Sequence, residues 1–155
     1  MEESKKTDIK WICKPFNQLT PLELYKIMQL RNAVFGVEQS CVYLDADDKD
    51  QVSFHFCGWE ADTLAAYTRL IPANIDFPEI SIGRVVTNIH FRKNGIGKIL
   101  MHQSIEQCFR LFGRQSIKIG AQLYLKKFYE SFGFQQIGDL YLEDGIKHIK
   151  MQLLV

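Results

Sequence analysis

The period of the apolar positions changes in a fixed order along the chain, and that order predicts the elements. Residues 9–16 form a short apolar segment compatible with a strand. The run Leu19-Thr20-Pro21-Leu22-Glu23 reads as a helix start: Thr20 can cap the first free N–H groups, Pro21 suits the first helical position and Glu23 completes a capping box. Leu24, Ile27, Met28, Leu30, Val34 and Phe35 follow at helical spacing, and Gly36 offers a left-handed stop. Residues 38–51 are polar, with Asp45, Asp47, Asp48 and Asp50 close together, which predicts a solvated loop. Apolar and polar residues then alternate over 52–60 and 64–71 around Ala61-Asp62-Thr63, the pattern of an antiparallel hairpin.

After two prolines within 72–78, residues 80–89 read as another strand. Residues 96–112 read as a helix with Met101, Ile105, Cys108, Phe109 and Phe112 on one face, ended by Gly113. A short strand over 116–121, a helix over 123–132 capped by Gly133, and a hairpin of 134–142 and 146–155 around Glu143-Asp144-Gly145 complete the chain. The order β, α, ββ, β, α, β, α, ββ predicts an α+β domain: a mixed sheet with helices on both faces and a parallel crossover through helix 96–112.

Composition narrows the function classes. With 155 residues and 46% hydrophobic content the chain suits one globular domain over 1–155. A formal net charge of +1 gives no reason to expect a nucleic-acid or membrane partner. Cys13, Cys41, Cys57 and Cys108 are irregularly spaced and His90, His102 and His148 show no ligand spacing, so no metal is expected. The polar start Met1-Glu2-Glu3-Ser4-Lys5-Lys6-Thr7-Asp8 lacks an apolar signal-peptide core, and no later run approaches the roughly 20 apolar residues of a membrane span. A cytoplasmic protein with reduced thiols is the expectation.

The segment Arg92-Lys93-Asn94-Gly95-Ile96-Gly97-Lys98 joins a predicted strand to a predicted helix. Two glycines there let backbone N–H groups approach a phosphate, the helix terminus adds about half a positive charge, and Arg92, Lys93 and Lys98 add local cations. Two nucleotide motifs fail at defined positions. A dinucleotide fingerprint starting at Gly95 meets Leu100 where its third glycine belongs. A P-loop meets Arg92 at its first glycine and Ile99 at its hydroxyl position. What remains is R-x-x-G-x-G between strand and helix.

That motif resembles the acetyl-coenzyme A motif [QR]-x-x-G-x-[GA] of the Gcn5-related N-acetyltransferase (GNAT) superfamily, with Lys93 where many members carry glycine. A second block, Gln122, Phe128, Tyr129, Gly133 and Phe134, resembles that superfamily's N-x-x-A-x-x-x-Y-x-x-x-G-F, with Gln122 for the asparagine and Leu125 for the alanine. Further blocks are similar to the ElaA-like branch: residues 30–39, Cys41-Val42-Tyr43, the acid run to Asp50, His55, residues 82–87 and residues 144–149, where Lys147 replaces an expected proline.

The resemblance implies a GNAT-like, mostly antiparallel sheet with a splayed parallel strand pair around the coenzyme site, and transfer of acetyl from acetyl-coenzyme A to an amine by direct attack in a ternary complex. It implies that Val85, Val86 and Thr87 hold the pantetheine arm and that Gln122 lies at the coenzyme, beside the turn from Arg92 to Lys98. Tyr129 falls on the tyrosine that faces the departing sulfur. With a phenol near pKa 10 and a thiol near 8.5, full proton transfer is uphill by roughly 2 kcal/mol, so a hydrogen bond to the thiolate is at least as apt. Neutralising a lysine-like amine near pKa 10.4 costs about 4.6 kcal/mol at pH 7, and Glu38 and His55 are candidate bases. Both also have structural roles open to them, as loop cap and as sheet hydrogen-bonding group. Arg84 is a candidate for an acidic group of the acceptor. The acceptor class stays open between small-molecule and peptide amines, and the chain between monomer and homodimer. Two alternatives stand beside the enzyme: an acyl-coenzyme A sensor without turnover, and a transferase for another acyl group.

Overall fold

A computed structural model describes residues 8–155. The polar start in residues 1–7, read above as lacking a signal-peptide core, lies outside the described residues. Strands β1 (Lys10–Pro15), β2 (Phe54–Glu60), β3 (Thr63–Ile71) and β4 (Ser81–Thr87) form an antiparallel sheet in that order. Strands β5 (Ile117–Gln122), β6 (Gln135–Glu143) and β7 (Ile146–Leu153) form a second antiparallel sheet in the order β5, β7, β6. One parallel contact, Ile80 with Ile117, joins the sheets, secured by the Lys118 N–H donating to the Ile80 carbonyl at 3.0 Å. Beyond that contact β4 and β5 diverge, so the fold is the α+β arrangement that the periodicity predicts, with the splayed parallel pair that the resemblance implied.

Helix α1 (Pro21–Arg31) opens as expected: the Thr20 hydroxyl accepts from the Glu23 N–H at 3.1 Å, and the Glu23 carboxylate accepts from the Thr20 N–H at 2.9 Å. Its end differs from the expectation. The α-helix stops at Arg31 and continues as a π-helix over Asn32–Glu38, with Gln39 N–H donating to the Val34 carbonyl and Cys41 N–H to that of Gly36. Gly36 therefore lies inside a widened turn, and the left-handed residue is Ser40, at φ 50°. A period of 3.6 cannot register the added residue of a π turn.

Helix α2 (Ile96–Phe112) packs Leu100, Met101 and Cys108 with Phe56, Ala66 and Leu70 on one face of the first sheet. Helix α1 packs Ile27 and Leu30 with Cys57 and Tyr67 on the other. Strand β4 changes face part-way: Ile82 belongs to the α2 core and Val86 to the α1 core. An extra residue is responsible, since Tyr67 pairs with Val86 but Arg69 with Gly83. Arg84 sits in this bulge at φ 50°, a conformation costing a non-glycine residue about 1–2 kcal/mol. The helix expected over 123–132 divides into a 3-10 turn, Leu123–Leu125, and α3 (Lys126–Glu130), with Gly133 at φ 98° closing it. Among the described residues no helix is long and apolar enough to cross a membrane.

Candidate active site

Where β4 and β5 part, a cleft of about 890 Å³ opens. Its walls are β4, the ends of β5 and α3, the π-helix with the loop behind it, and the β6–β7 hairpin. Val85, Val86, Thr87, Arg92, Gly97, Gln122, Tyr129, Glu38 and Arg84 all line it. The remaining predicted turn residues, Lys93, Asn94, Gly95, Ile96 and Lys98, lie beside it in sequence; the Ile96 side chain is buried in the core.

The turn at one end is built for backbone donors. Lys93 at φ 75° and Gly95 at φ 72° are both left-handed, and Gly95 is the N-cap of α2 with no side chain capping the helix. The first-turn N–H groups of a 17-residue helix thus lack a side-chain acceptor at its positive end. Gly97 follows within the helix, where glycine is costly, yet a Cβ there would lie 4.0 Å from both Thr87 Cγ2 and Phe128 Cζ, ordinary contacts. Protein packing does not require this glycine. The open space faces the cleft, which fits a coenzyme diphosphate approaching the backbone.

Arg92 forks onto Glu38, with Nη1 and Nη2 at 2.6 and 2.8 Å from its carboxylate oxygens, and also donates to the Thr87 carbonyl at 3.2 Å. The pair ties the π-helix to the glycine turn across the mouth of the cleft. Deeper in, Tyr129 is 5% exposed, and among the described residues its hydroxyl has no hydrogen-bond partner. Burial holds its phenol well above the ordinary value, so it stays a proton donor. Gln122 donates to the Gln39 side chain at 3.1 Å, bridging β5 to the loop after the π-helix.

This arrangement of splayed strands and helices has counterparts among solved structures. Residues 33–155 match the family model of the acetyltransferase (GNAT) domain. The chain belongs to the GNAT family. Protein ElaA of Escherichia coli (strain K12) is 39% identical over 145 residues, which cover 92% of this chain and 95% of ElaA. The crystal structure of Escherichia coli ElaA superposes with a TM-score of 0.88, covering 94% of this chain and 99% of that one. An acyl-CoA N-acyltransferase from Pseudomonas aeruginosa, 36% identical, gives a TM-score of 0.90 with coverage of 94% and 99%. A Bacillus subtilis acetyltransferase in complex with CoA shares the fold at a TM-score of 0.67 and 19% identity, over 96% of this chain and 99% of its own. This GNAT domain is thus an ElaA-like acyltransferase fold.

Within the GNAT domain, three expectations about side chains need correction. His55 does not line the cleft: it is 1% exposed, and both ring nitrogens are engaged. Its Nε2 lies 2.8 Å from the Asp50 carbonyl, which can only accept, so Nδ1 accepts from the Tyr67 hydroxyl at 2.7 Å. Burial, reinforced by Arg31 and Arg69, keeps this imidazole neutral by lowering its pKa. Glu38 lines the cleft, but the hydrogen bonds from Arg92 hold its carboxyl below the ordinary range, which weakens it as a base.

The third correction concerns the aspartates and Arg84. Instead of a solvated loop, Asp45, Asp47 and Asp50 join Arg31, Arg69 and Arg84 in one charge network. Arg31, fully buried, bonds Asp50 at 2.7 Å and pairs with Asp45 at 2.8 Å; Arg69 meets both Asp47 oxygens at 2.8 Å and Asp50 at 2.9 Å. Arg84 donates to the Asp45 carboxylate at 2.9 Å and reaches Asp47 at 3.3 Å. Its Nε and Nη2 therefore anchor the loop and hold the strained bulge of β4, which ties the guanidinium to Asp45 and Asp47 at the cleft wall. Only Asp48 is exposed among these aspartates. Formally isolated charges would not survive such burial, and the alternation of three cations with three anions supplies the compensation.

Sequence reasoning passed over Tyr141 and His148, which also line the cleft. Counting outward from the Asp144-Gly145 turn sets Tyr141 opposite His148, a pairing the β6–β7 register shows. That His148 also lies opposite Gln122 on β5 depends on tertiary pairing.

Proposed function

We propose that the protein is an N-acetyltransferase that takes acetyl from acetyl-coenzyme A and passes it to a small-molecule or peptide amine. The observation that carries this reading is one continuous cleft with the uncapped α2 turn at its mouth and the unpartnered Tyr129 hydroxyl in its wall. The turn from Lys93 to Lys98 would bind the diphosphate with backbone N–H groups. Val85, Val86 and Thr87 would lie along the pantetheine arm, and a backbone N–H of β4 would steady charge on the reacting carbonyl oxygen.

The coenzyme, when bound, supplies an activated acyl thioester. Tyr129 would donate a hydrogen bond to the leaving sulfur, and its raised pKa favours donation over loss of the proton. Arg92 would keep the mouth shaped through Glu38 and the Thr87 carbonyl. The test is a thermal-shift comparison of acetyl-, propionyl- and succinyl-coenzyme A, joined to thiol release over a panel of primary amines. Stabilisation and thiol release with acetyl-coenzyme A support the reading. No stabilisation by any of the three overturns it, stabilisation without turnover replaces it with a sensor, and preference for a larger acyl group changes the donor.

A further inference from the structure

With His55 enclosed and Glu38 committed to Arg92, the cleft needs another group to accept the proton of the attacking amine. His148 stands on β7 between Gln122 of β5 and Tyr141 of β6, directly paired with each. Paired residues of antiparallel strands point to the same face, and here that face is the cleft wall. The His148 side chain is 12% exposed, and its ring lies against Tyr141 with centroids 5.8 Å apart and planes at 32°.

The two ring nitrogens are differently placed. Nδ1 is 2.8 Å from the Ile146 carbonyl, an acceptor only, so Nδ1 carries the hydrogen in the neutral ring. The lone pair is then on Nε2, which makes no hydrogen bond among the described residues and lies 3.6 Å from Glu143 Oε2. A neutral imidazole fixed in this tautomer turns an unbonded Nε2 lone pair toward the cleft, ready to take a proton.

We infer that His148 is the general base of the transfer, with Glu143 as the residue that positions it; this rests on the acetyltransferase reading above. The acceptor ammonium gives one proton to Nε2 of His148. Its nitrogen lone pair then forms the C–N bond to the acyl carbon, and the C–S bond breaks with its electron pair on sulfur. The second nitrogen proton passes to the thiolate, assisted by Tyr129, and His148 releases the first to solvent. The titratable and charged groups around His148 are Glu143, Tyr141 and Asp144 of the hairpin and Lys150 two residues on in β7, with neutral Gln122 on the β5 side.

The test uses the full chain, acetyl-coenzyme A and the primary-amine panel. H148Q is expected to lower kcat by about 100-fold or more, the worth of a positioned base, and to flatten the rising limb of the kcat against pH profile, while coenzyme affinity stays within twofold. E143Q is expected to lower kcat by less than H148Q does, with the KM for acetyl-coenzyme A unchanged; a kcat equal to wild type overturns the positioning role of Glu143. Unchanged kcat and pH profile in H148Q overturn the inference. A second readout is independent of any acceptor: ¹⁵N NMR of the wild-type imidazole at pH 8 is expected to show hydrogen on Nδ1 of His148, and hydrogen on Nε2 overturns the assignment. Should the wild type bind acetyl-coenzyme A yet acetylate no amine in the panel, the acetyltransferase reading fails, and the base assignment falls with it whatever the tautomer.

Discussion

Replacing Gly97 by Ala separates what the fold needs from what the ligand needs. The added methyl meets only Thr87 Cγ2 and Phe128 Cζ, each at 4.0 Å, and Gly97 is not among the left-handed residues, so the substitution introduces neither clash nor strain. Alanine is favoured over glycine in a helix by up to about 1 kcal/mol, less in a first turn, so the unliganded variant should gain about 0.5 kcal/mol. For a domain of this size that raises Tm by roughly 1–2 °C. Coenzyme binding should move the other way. A Cβ facing the cleft holds a diphosphate off the α2 turn, and losing one or two charge-assisted hydrogen bonds at about 1.5 kcal/mol each raises Kd by roughly 10- to 150-fold. Differential scanning calorimetry of the free protein and isothermal titration with coenzyme A measure the two arms. A destabilised free protein would show that Gly97 serves internal packing, and coenzyme affinity equal to wild type would show that no ligand group approaches it; either result refutes the reasoning.

Tyr129→Phe should lower kcat by about 10- to 150-fold, the value of a hydrogen bond to a charged group at roughly 1.5–3 kcal/mol, with coenzyme Kd unchanged by titration. Asp50→Asn takes one of two carboxylate partners from each of Arg31 and Arg69 and should cost about 1–3 kcal/mol, seen as a Tm drop of roughly 2–12 °C. Burial opposes ionisation of Asp47 and Asp50, but hydrogen bonds from the arginines outweigh it, so both carboxyls titrate below the ordinary value of about 3.9. Their contribution is complete above about pH 4 and is lost as pH falls through the folded values; acid denaturation should thus begin near pH 4 and be milder in Asp50→Asn relative to its own neutral stability. Lys93→Gly should exceed Lys93→Ala in stability by about 1 kcal/mol, since only the glycine relieves φ 75°; equal denaturant midpoints would contradict that.

How far the sequence could be read depended on the range of the interactions concerned. The start of α1 was legible because Thr20, Pro21 and Glu23 act on each other within one turn. The final hairpin was legible because Asp144 and Gly145 favour the left-handed pair that reverses twisted strands. The glycine turn was found because its peculiar residues are adjacent. The end of α1 escaped, since a π turn leaves the apolar spacing of Val34 and Phe35 unchanged while redirecting Glu38 to the cleft. The aspartate run escaped because its partners, Arg31, Arg69 and Arg84, come from three separate elements, and an acid-rich segment looks solvated until those cations are placed. His55 and His148 differ for the same reason: one faces the α1 side of the first sheet and the other the cleft, a distinction set by packing.

The central claim is that the cleft between β4 and β5 carries acetyl from coenzyme A to an amine. Its most direct test follows the wild-type protein with acetyl-coenzyme A and each amine of the panel, quantifying free thiol and acetylated amine together by mass spectrometry. Equimolar appearance of the two with at least one amine is the predicted result. Thiol release with no acetylated amine, or no reaction across the whole panel, would contradict it.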